Sequence, residues 1–366
     1  MEPTRREILK GMASAAAVAS LDPSGNLSSI FKQDQKPVGW AILGLGSYAT
    51  NQILPNMRFC KLSKPIAFIS GSPDKLKRYG DAFGITSEHR YSYDNMDSIK
   101  DNPEIEVVYV ITPPGTHRDF TLRAARLGKH VCCEKPMANS VVECQEMIDA
   151  CAKAGKQLQI GYRCHYEPYN LQATELCRKG EFGVLRSIQA SMGFSAQPGI
   201  WRLNKKLGGG GSMYDIGIYG LQALRYLSGE EPIEVFATIS NPPGDERFKE
   251  VEDTVHVVFK FPSGLTGSVA CSYSWAGVNR YEVLGTKGRL VAENATGYYG
   301  FQFQIGSRSI TVQPGNMWAT QMDHLSECIR SGAKTNRTPG EMGKLDIRII
   351  HAIYESARTG RSVKLG

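Results

Sequence analysis

Val38-Gly39-Trp40-Ala41-Ile42-Leu43-Gly44-Leu45-Gly46-Ser47-Tyr48-Ala49 reads as a short apolar strand, a G-x-G-x-x-A turn and the start of a helix. Each small residue answers a physical demand. Glycine at Gly44 lets the chain turn tightly, glycine at Gly46 lets the backbone approach a pyrophosphate, and Ala49 lets helix and strand pack closely. Amides at the helix start then face the phosphates. Ile53 and Met57 continue a helical spacing, although Pro55 must kink or shorten that helix.

Alone the turn is a weak sign, and the elements behind it give it weight. Strand-like segments follow at Pro65–Ser70, Ile105–Ile111, His130–Cys133 and Gln157–Ile160. Helical segments fall between them at Pro73–Phe83, Thr116–Leu127 and Ser140–Ala154. This βαβ alternation predicts an α/β chain that opens with a doubly wound Rossmann domain over residues 37–160. At the end of the second strand, where an NAD-binding domain usually carries Asp or Glu, stands Ile69-Ser70-Gly71-Ser72-Pro73-Asp74-Lys75, with Lys77 and Arg78 beyond. A neutral Ser70 removes the carboxylate that would repel a 2′-phosphate, and Lys75 and Arg78 can bond to one. NADP(H) is therefore the expected cofactor. Lys77 fits a solvated helix face equally well.

Two further segments carry candidate chemistry. Glu134-Lys135-Pro136 closes the strand His130–Cys133, and strand ends of a doubly wound sheet meet the ligand crevice. Lys135 then points toward the nicotinamide, with a plain surface charge as the alternative, and Pro136 holds the backbone extended. The second segment is Gly208-Gly209-Gly210-Gly211-Ser212-Met213-Tyr214-Asp215-Ile216-Gly217-Ile218-Tyr219. Its glycines make a flexible or closely approached loop, and Ser212 is the expected N-cap of a helix on which Asp215 and Tyr219 stand four apart. Taking a hydride from an alcohol needs a group that accepts the hydroxyl proton. A tyrosine serves if a neighbouring ammonium such as Lys135 stabilises its phenolate, with Asp215 orienting sugar or lysine. A helix tyrosine at this spacing can also be purely structural.

From about Gly161 the pattern changes. Val184–Ser195, Pro232–Ser240, Asp253–Phe261, Leu265–Tyr273, Tyr281–Gly285 and Arg289–Glu293 have strand composition, joined by turns such as Pro262-Ser263-Gly264. They predict a second, α+β domain over residues 161–366 with a large, mainly antiparallel sheet, finished by helices at Met317–Ser331 and Lys344–Arg358. A free sheet face of this kind often serves oligomerisation, so a homodimer or homotetramer is expected.

The length of 366 residues fits two such domains, and 41% hydrophobic with 22% charged residues is ordinary for a globular chain. The net charge of +7 comes from scattered basic residues, without the aromatic-laced stripe of a nucleic-acid binder. Nine cysteines occur without a CxxC pair or a zinc-like spacing and read as buried small hydrophobes, so no metal site is expected. At the N-terminus, Thr4-Arg5-Arg6-Glu7-Ile8-Leu9-Lys10 precedes a weakly apolar run, Gly11 to Leu21, with Ala17-Val18-Ala19 as a cleavage site. Residues 1–20 read as a twin-arginine export signal and 21–36 as a linker or arm, which implies a periplasmic enzyme not held by a membrane. A plain cytosolic tail is the alternative.

Together these segments resemble the Gfo/Idh/MocA oxidoreductase family over nearly the whole chain. The likeness includes the twin-arginine start and the run from Gly44 to Pro55. It extends to Gly128-Lys129-His130-Val131, Glu134-Lys135-Pro136-Met137-Ala138 and Ile160-Gly161-Tyr162-Arg163-Cys164-His165-Tyr166. Trp201-Arg202-Leu203, Asp215-Ile216-Gly217-Ile218-Tyr219-Gly220 and Ala295-Thr296-Gly297-Tyr298-Tyr299 complete it. The resemblance implies that Lys135 is the catalytic lysine and Tyr219 the acid/base residue, where most members carry histidine, with Asp215 alongside. It places Ser70, Lys75 and Tyr93 around the 2′-phosphate and Trp201, Arg202 and Tyr298 against the cofactor. It adds Gly44, Gly46, Ser47, Tyr48, Ala49, His117, Glu134, Lys135 and Arg163 to the cofactor site. It also implies tightly held NADP(H) and ping-pong turnover of monosaccharides, one oxidised to a lactone and a second, aldose or ketose, reduced to an alditol. The stretch 195–199, bordering the sugar site, and the linker 20–37 are shorter than in the member it most resembles, which keeps an aldose open as both donor and acceptor.

Overall fold

The computed structural model describes residues 36–366. The export signal and all of the linker but Lys36 lie outside the described residues.

Strands β1 (Val38–Leu43), β2 (Ser63–Ile69), β3 (Arg90–Tyr91), β4 (Val107–Val110), β5 (His130–Cys133) and β6 (Leu158–Ile160) form a six-stranded sheet. Its order is β3-β2-β1-β4-β5-β6, and every neighbouring pair runs parallel. Helices α1 (Pro73–Phe83), α2 (His117–Arg126) and α3 (Val141–Lys153) connect the strands. Every residue of β1 and β4 is buried, as a sheet covered on both faces requires. The order reverses between β1 and β4, and there the carboxyl ends of the strands open a crevice.

Pro55 does shorten the first helix. The residues Ala49–Ile53 form a π turn, with the Leu54 amide bonded to the Ala49 carbonyl, before one short α turn at Leu54–Met57. Proline has no N–H to continue the regular ladder, so the widened turn falls just ahead of it.

The second sheet has nine strands. They are β7 (Leu185–Ser195), β8 (Glu234–Ser240), β9 (Thr254–Lys260), β10 (Thr266–Ser272), β11 (Ser274–Gly285), β12 (Arg289–Glu293), β13 (Gln302–Ile305), β14 (Arg308–Ile310) and β15 (Val363–Lys364). The order is β14-β13-β12-β11-β7-β10-β9-β8-β15, antiparallel except where β10 runs parallel to β7. β9 alternates buried and exposed residues, so one face packs inward. On the other face Phe236 and Val258 are register partners and both exposed. The short strands β3, β13, β14 and β15 and the helix α4 (Pro168–Arg178) are additions to the sequence expectation. α4 is capped by the Glu167 carboxylate, which accepts from Tyr169 N and Asn170 N.

One helix crosses the boundary expected at residue 161. Helix α5 (Ile218–Ser228) packs on the second sheet, but α6 (Met317–Ser331) returns to the first. Its Met317, Trp318, Met322 and Leu325 share a core with Trp40, Phe68 and Tyr109. Asp323 accepts from the Lys61 and Leu62 amides, and Trp40 Nε1 donates to Ser326. The last helix, α7 (Gly340–Thr359), starts four residues before the expected Lys344 and carries the buried Asp346 between the layers.

Candidate active site

Lys135 follows the end of β5, in a bend with Pro136, to which a cis peptide joins it. Its side chain is mostly buried, and Nζ donates to the Asp215 carbonyl at 2.6 Å and to Asp215 Oδ1 at 3.3 Å. Arg202 Nε takes the other carboxylate oxygen, Oδ2, at 2.8 Å. Burial alone would push the Asp215 carboxyl up, but the Arg202 guanidinium and the Lys135 ammonium together hold it below the ordinary carboxylate value. Asp215 is thus an anion clamped between two cations.

The Lys135 ammonium also lies 4.5 Å from the centre of the Tyr219 ring. Arg163, buried behind, places its guanidinium 5.0 Å from that ring and 4.7 Å from the Tyr298 ring. Arg163 is fixed by the carbonyls of Thr296 and Gly297, while its Nε, also buried, has no partner. Tyr298 in turn meets Tyr48 and Trp318. The structure therefore brings Lys135, Asp215, Tyr219, Arg163, Trp201, Arg202 and Tyr298 into one locality, with Tyr48 joining it to the glycine turn.

The helix carrying Tyr219 is held by long-range bonds. Gln222 and Arg225 on α5 both donate to the fully buried Asp346, and Tyr162 donates to it as well. At the head of that helix the structure corrects the expected cap. Ser212 sits in helical conformation with its hydroxyl against Cys271, and it caps nothing. Met213–Gly217 forms a π turn, and two amides at and just before its head go to the Glu252 carboxylate: Gly211 N at 2.8 Å and Met213 N at 3.0 Å. A carboxylate reaching from another segment satisfies two amides, which a serine at the cap could not. The glycine run is a close-approach loop, since a Cβ on Gly211 would stand 2.0 Å from the Glu252 carbonyl oxygen.

Gly44 has φ +97°, and a Cβ there would lie 2.8 Å from the Ile111 carbonyl oxygen. A Cβ on Gly46 would meet nothing within 4 Å. That open backbone stands at the start of the first helix, with Ser47 exposed and Ala49 buried beside β1. Ser70 is buried at the end of β2 and accepts from Ser72 N at 3.2 Å. No acid ends that strand, Lys75 is exposed on the first turn of α1, and the Tyr93 ring lies against Gly71. Lys77 pairs with Asp81 on the solvent face of α1. These residues fit a dinucleotide carrying a 2′-phosphate.

Two other expected cofactor residues have their polar atoms engaged by the protein. His117 is fully buried, its Nδ1 2.9 Å from the Pro136 carbonyl and Nε2 2.7 Å from that of Thr112. It ties the ends of β4 and β5 together. Glu134 accepts from Tyr109 at 2.6 Å, and burial raises its carboxyl to about 6. All nine cysteines are free, eight of them buried, and the described residues include no cluster suited to a metal and no helix able to cross a membrane. Sequence reasoning missed Glu252 and Tyr273, neither of which stands in a motif.

The chain is similar to known proteins over most of its length. Residues 38–162 match the model of an oxidoreductase family with an NAD-binding Rossmann fold, and residues 170–291 match the GFO/IDH/MocA C-terminal domain. A solved aldose-aldose oxidoreductase from Caulobacter crescentus is 48% identical, with TM-score 0.88 over 90% of this chain and 100% of that one. The D-xylose 1-dehydrogenase [NADP(+)] of Haloarcula marismortui is 29% identical, over 90% of this chain and 93% of its own length. The 1,5-anhydro-D-fructose reductase of Ensifer adhaerens is 25% identical, over 89% of this chain and 98% of its own.

Proposed function

This chain belongs to the Gfo/Idh/MocA oxidoreductase family and is an NAD(P)-dependent oxidoreductase of sugars; we propose that it keeps NADP(H) bound while one aldose becomes its aldonolactone and a second sugar becomes its alditol. The observation that carries this reading is the meeting of Lys135, Asp215 and Tyr219 beside the nucleotide crevice.

When bound, the nicotinamide supplies the hydride acceptor and donor. The protein's own task is the proton. As the aldose loses hydride from the carbon bearing its hydroxyl, Tyr219 takes the hydroxyl proton, and in the reverse half-reaction it returns one to the sugar being reduced. Tyr219 accepts as the phenolate and donates as the phenol, and the Lys135 and Arg163 cations that flank the ring stabilise the phenolate. Asp215, held ionised, fixes the Lys135 ammonium and Arg202. The two sugars balance: one gives up two electrons and two hydrogens, and the other gains them.

An aldose as acceptor is favoured by the likeness to the Caulobacter enzyme named for two aldoses. Assembly as a homodimer or homotetramer rests on the exposed Phe236 and Val258 pair of the second sheet. Export to the periplasm rests on Arg5-Arg6 and the run behind them. Retained cofactor suits such export, because the twin-arginine route carries folded proteins.

The test is the near-ultraviolet spectrum of protein purified without added nucleotide. Bound nicotinamide whose reduced band rises with one sugar and bleaches with another is expected. A protein that emerges empty and turns over only with added NADP(H) is a conventional dehydrogenase. The mass of the chain secreted by its native host tests export, with loss of about the first 20 residues expected.

A further inference from the structure

Tyr273 follows β10 and is fully buried, yet its hydroxyl has no hydrogen-bond partner. Its backbone is fixed on both sides: its N–H donates to Asp253 Oδ1 at 2.9 Å, and its carbonyl accepts from Ala196 N at 2.8 Å. The ring packs edge-on against Phe194, with centroids 5.2 Å apart. Held in this way, the ring lines a small cavity together with Pro114, Pro136, Trp201, Arg202 and Asp215. Each oxygen of Asp215 already takes one cation, Lys135 or Arg202, and the phenol, although it lies beside that carboxylate, makes no well-formed hydrogen bond to either oxygen.

A buried O–H without a partner is a cost that natural interiors rarely carry, and each one calls for a cause. Here the cause lies in what fills the cavity. We propose that Tyr273 is a specificity-determining residue whose hydroxyl bonds to a sugar hydroxyl of the bound substrate, one other than that at the reacting carbon. The cavity it faces is lined by Arg202 and Asp215 and not by Tyr219, so the two phenols address different positions of the sugar. A polyol suits the place because each of its hydroxyls both donates and accepts. A site built to bond a substrate hydroxyl rejects the analogue that lacks it, since its own group is then buried alone. The inference rests on the sugar oxidoreductase reading above.

The experiment compares the wild-type holoenzyme with Tyr273→Phe on a parent aldose and its set of mono-deoxy derivatives. On the parent sugar, Tyr273→Phe is expected to lose about tenfold in kcat/KM, or ~1.4 kcal/mol, mostly as a rise in KM. One deoxy sugar should cost the wild type a similar factor and cost Tyr273→Phe nothing further. The melting temperature should be unchanged or slightly raised, because only an unpaired hydroxyl is removed. Equal kinetics for the two proteins on the parent sugar, or the same loss on every deoxy derivative, would overturn the assignment while leaving the sugar oxidoreductase reading intact. A wild type that turns over no sugar would overturn both.

Discussion

The Lys135 ammonium stands 4.5 Å from the centre of the Tyr219 ring, although one residue follows a strand of the first sheet and the other stands on helix α5, far along the chain. Their approach depends on Asp215, whose carbonyl and carboxylate both accept from Lys135 Nζ. Asp215 shares a helix start with Tyr219, so anchoring the lysine to one brings it onto the other.

Replacing Asp215 with Asn should therefore damage both activity and stability. It leaves Lys135 and Arg202 facing each other without a counter-charge. A loss of ~2 kcal/mol in chemical denaturation is expected at neutral pH, less than for a fully buried pair because Arg202 is partly exposed. The folded Asp215 carboxyl lies below its unfolded value, so its contribution is present above about pH 4 and fades as pH falls further. The gap between wild type and Asp215→Asn should narrow in acid; a gap constant with pH would show that the charge is not what matters.

Glu134 carries the opposite sign. Its folded carboxyl titrates at about 6, so the folded state holds this proton more tightly than the unfolded chain does. Stability from this group falls as pH rises from the unfolded value of about 4.5 through 6, by about 2 kcal/mol. Denaturation of wild type and Glu134→Gln between pH 4 and 7 should show their difference shifting by that amount in favour of the glutamine. No shift would mean that Glu134 is well solvated in the folded protein, and a shift the other way that its neighbouring cations and donors outweigh its burial.

The two glycines of the first turn should behave oppositely. Gly44→Ala places a side chain at positive φ against the Ile111 carbonyl and should cost about 1–2 kcal/mol or more of stability. Gly46→Ala points a methyl into open space, so the melting temperature should hold while nucleotide affinity drops about tenfold. Equal nucleotide affinity in Gly46→Ala would remove the pyrophosphate from that position.

Ser70 decides between cofactors. A carboxylate introduced by Ser70→Asp at the buried end of β2 should repel a 2′-phosphate and accept from a free ribose hydroxyl. Titration of apo-protein should show about a tenfold loss for NADP(H) and a gain for NAD(H). An unchanged preference would place the 2′-phosphate elsewhere.

Much of this was legible in the residues themselves. The strand, turn and helix pattern around Gly44 fixed the first sheet, because local spacing and small-residue demands are written in adjacent positions. α1, β5, β12 and α6 begin and end where composition places them. What escaped were long-range partners. The pairing of Asp323 with the amides of Lys61 and Leu62, and of Glu252 with the amides beside Ser212, joins segments that no spacing rule connects. The π turns arise from such constraints as well, one from Pro55 and one from the amides claimed by Glu252. Tyr273 looked like the last residue of a strand, and only its unpaired hydroxyl in three dimensions marks it out.

The most direct test of the proton-transfer role is rapid mixing of the oxidised holoenzyme with an aldose in a single turnover, followed by the rise of the reduced nicotinamide band. Tyr219→Phe should retain its bound nucleotide and show that rise slowed by about 10² or more, since the phenol oxygen is what accepts the proton. If Tyr219→Phe reduces its nucleotide as fast as the wild type, another group takes the proton, and the meeting of Lys135 and Tyr219 is packing alone.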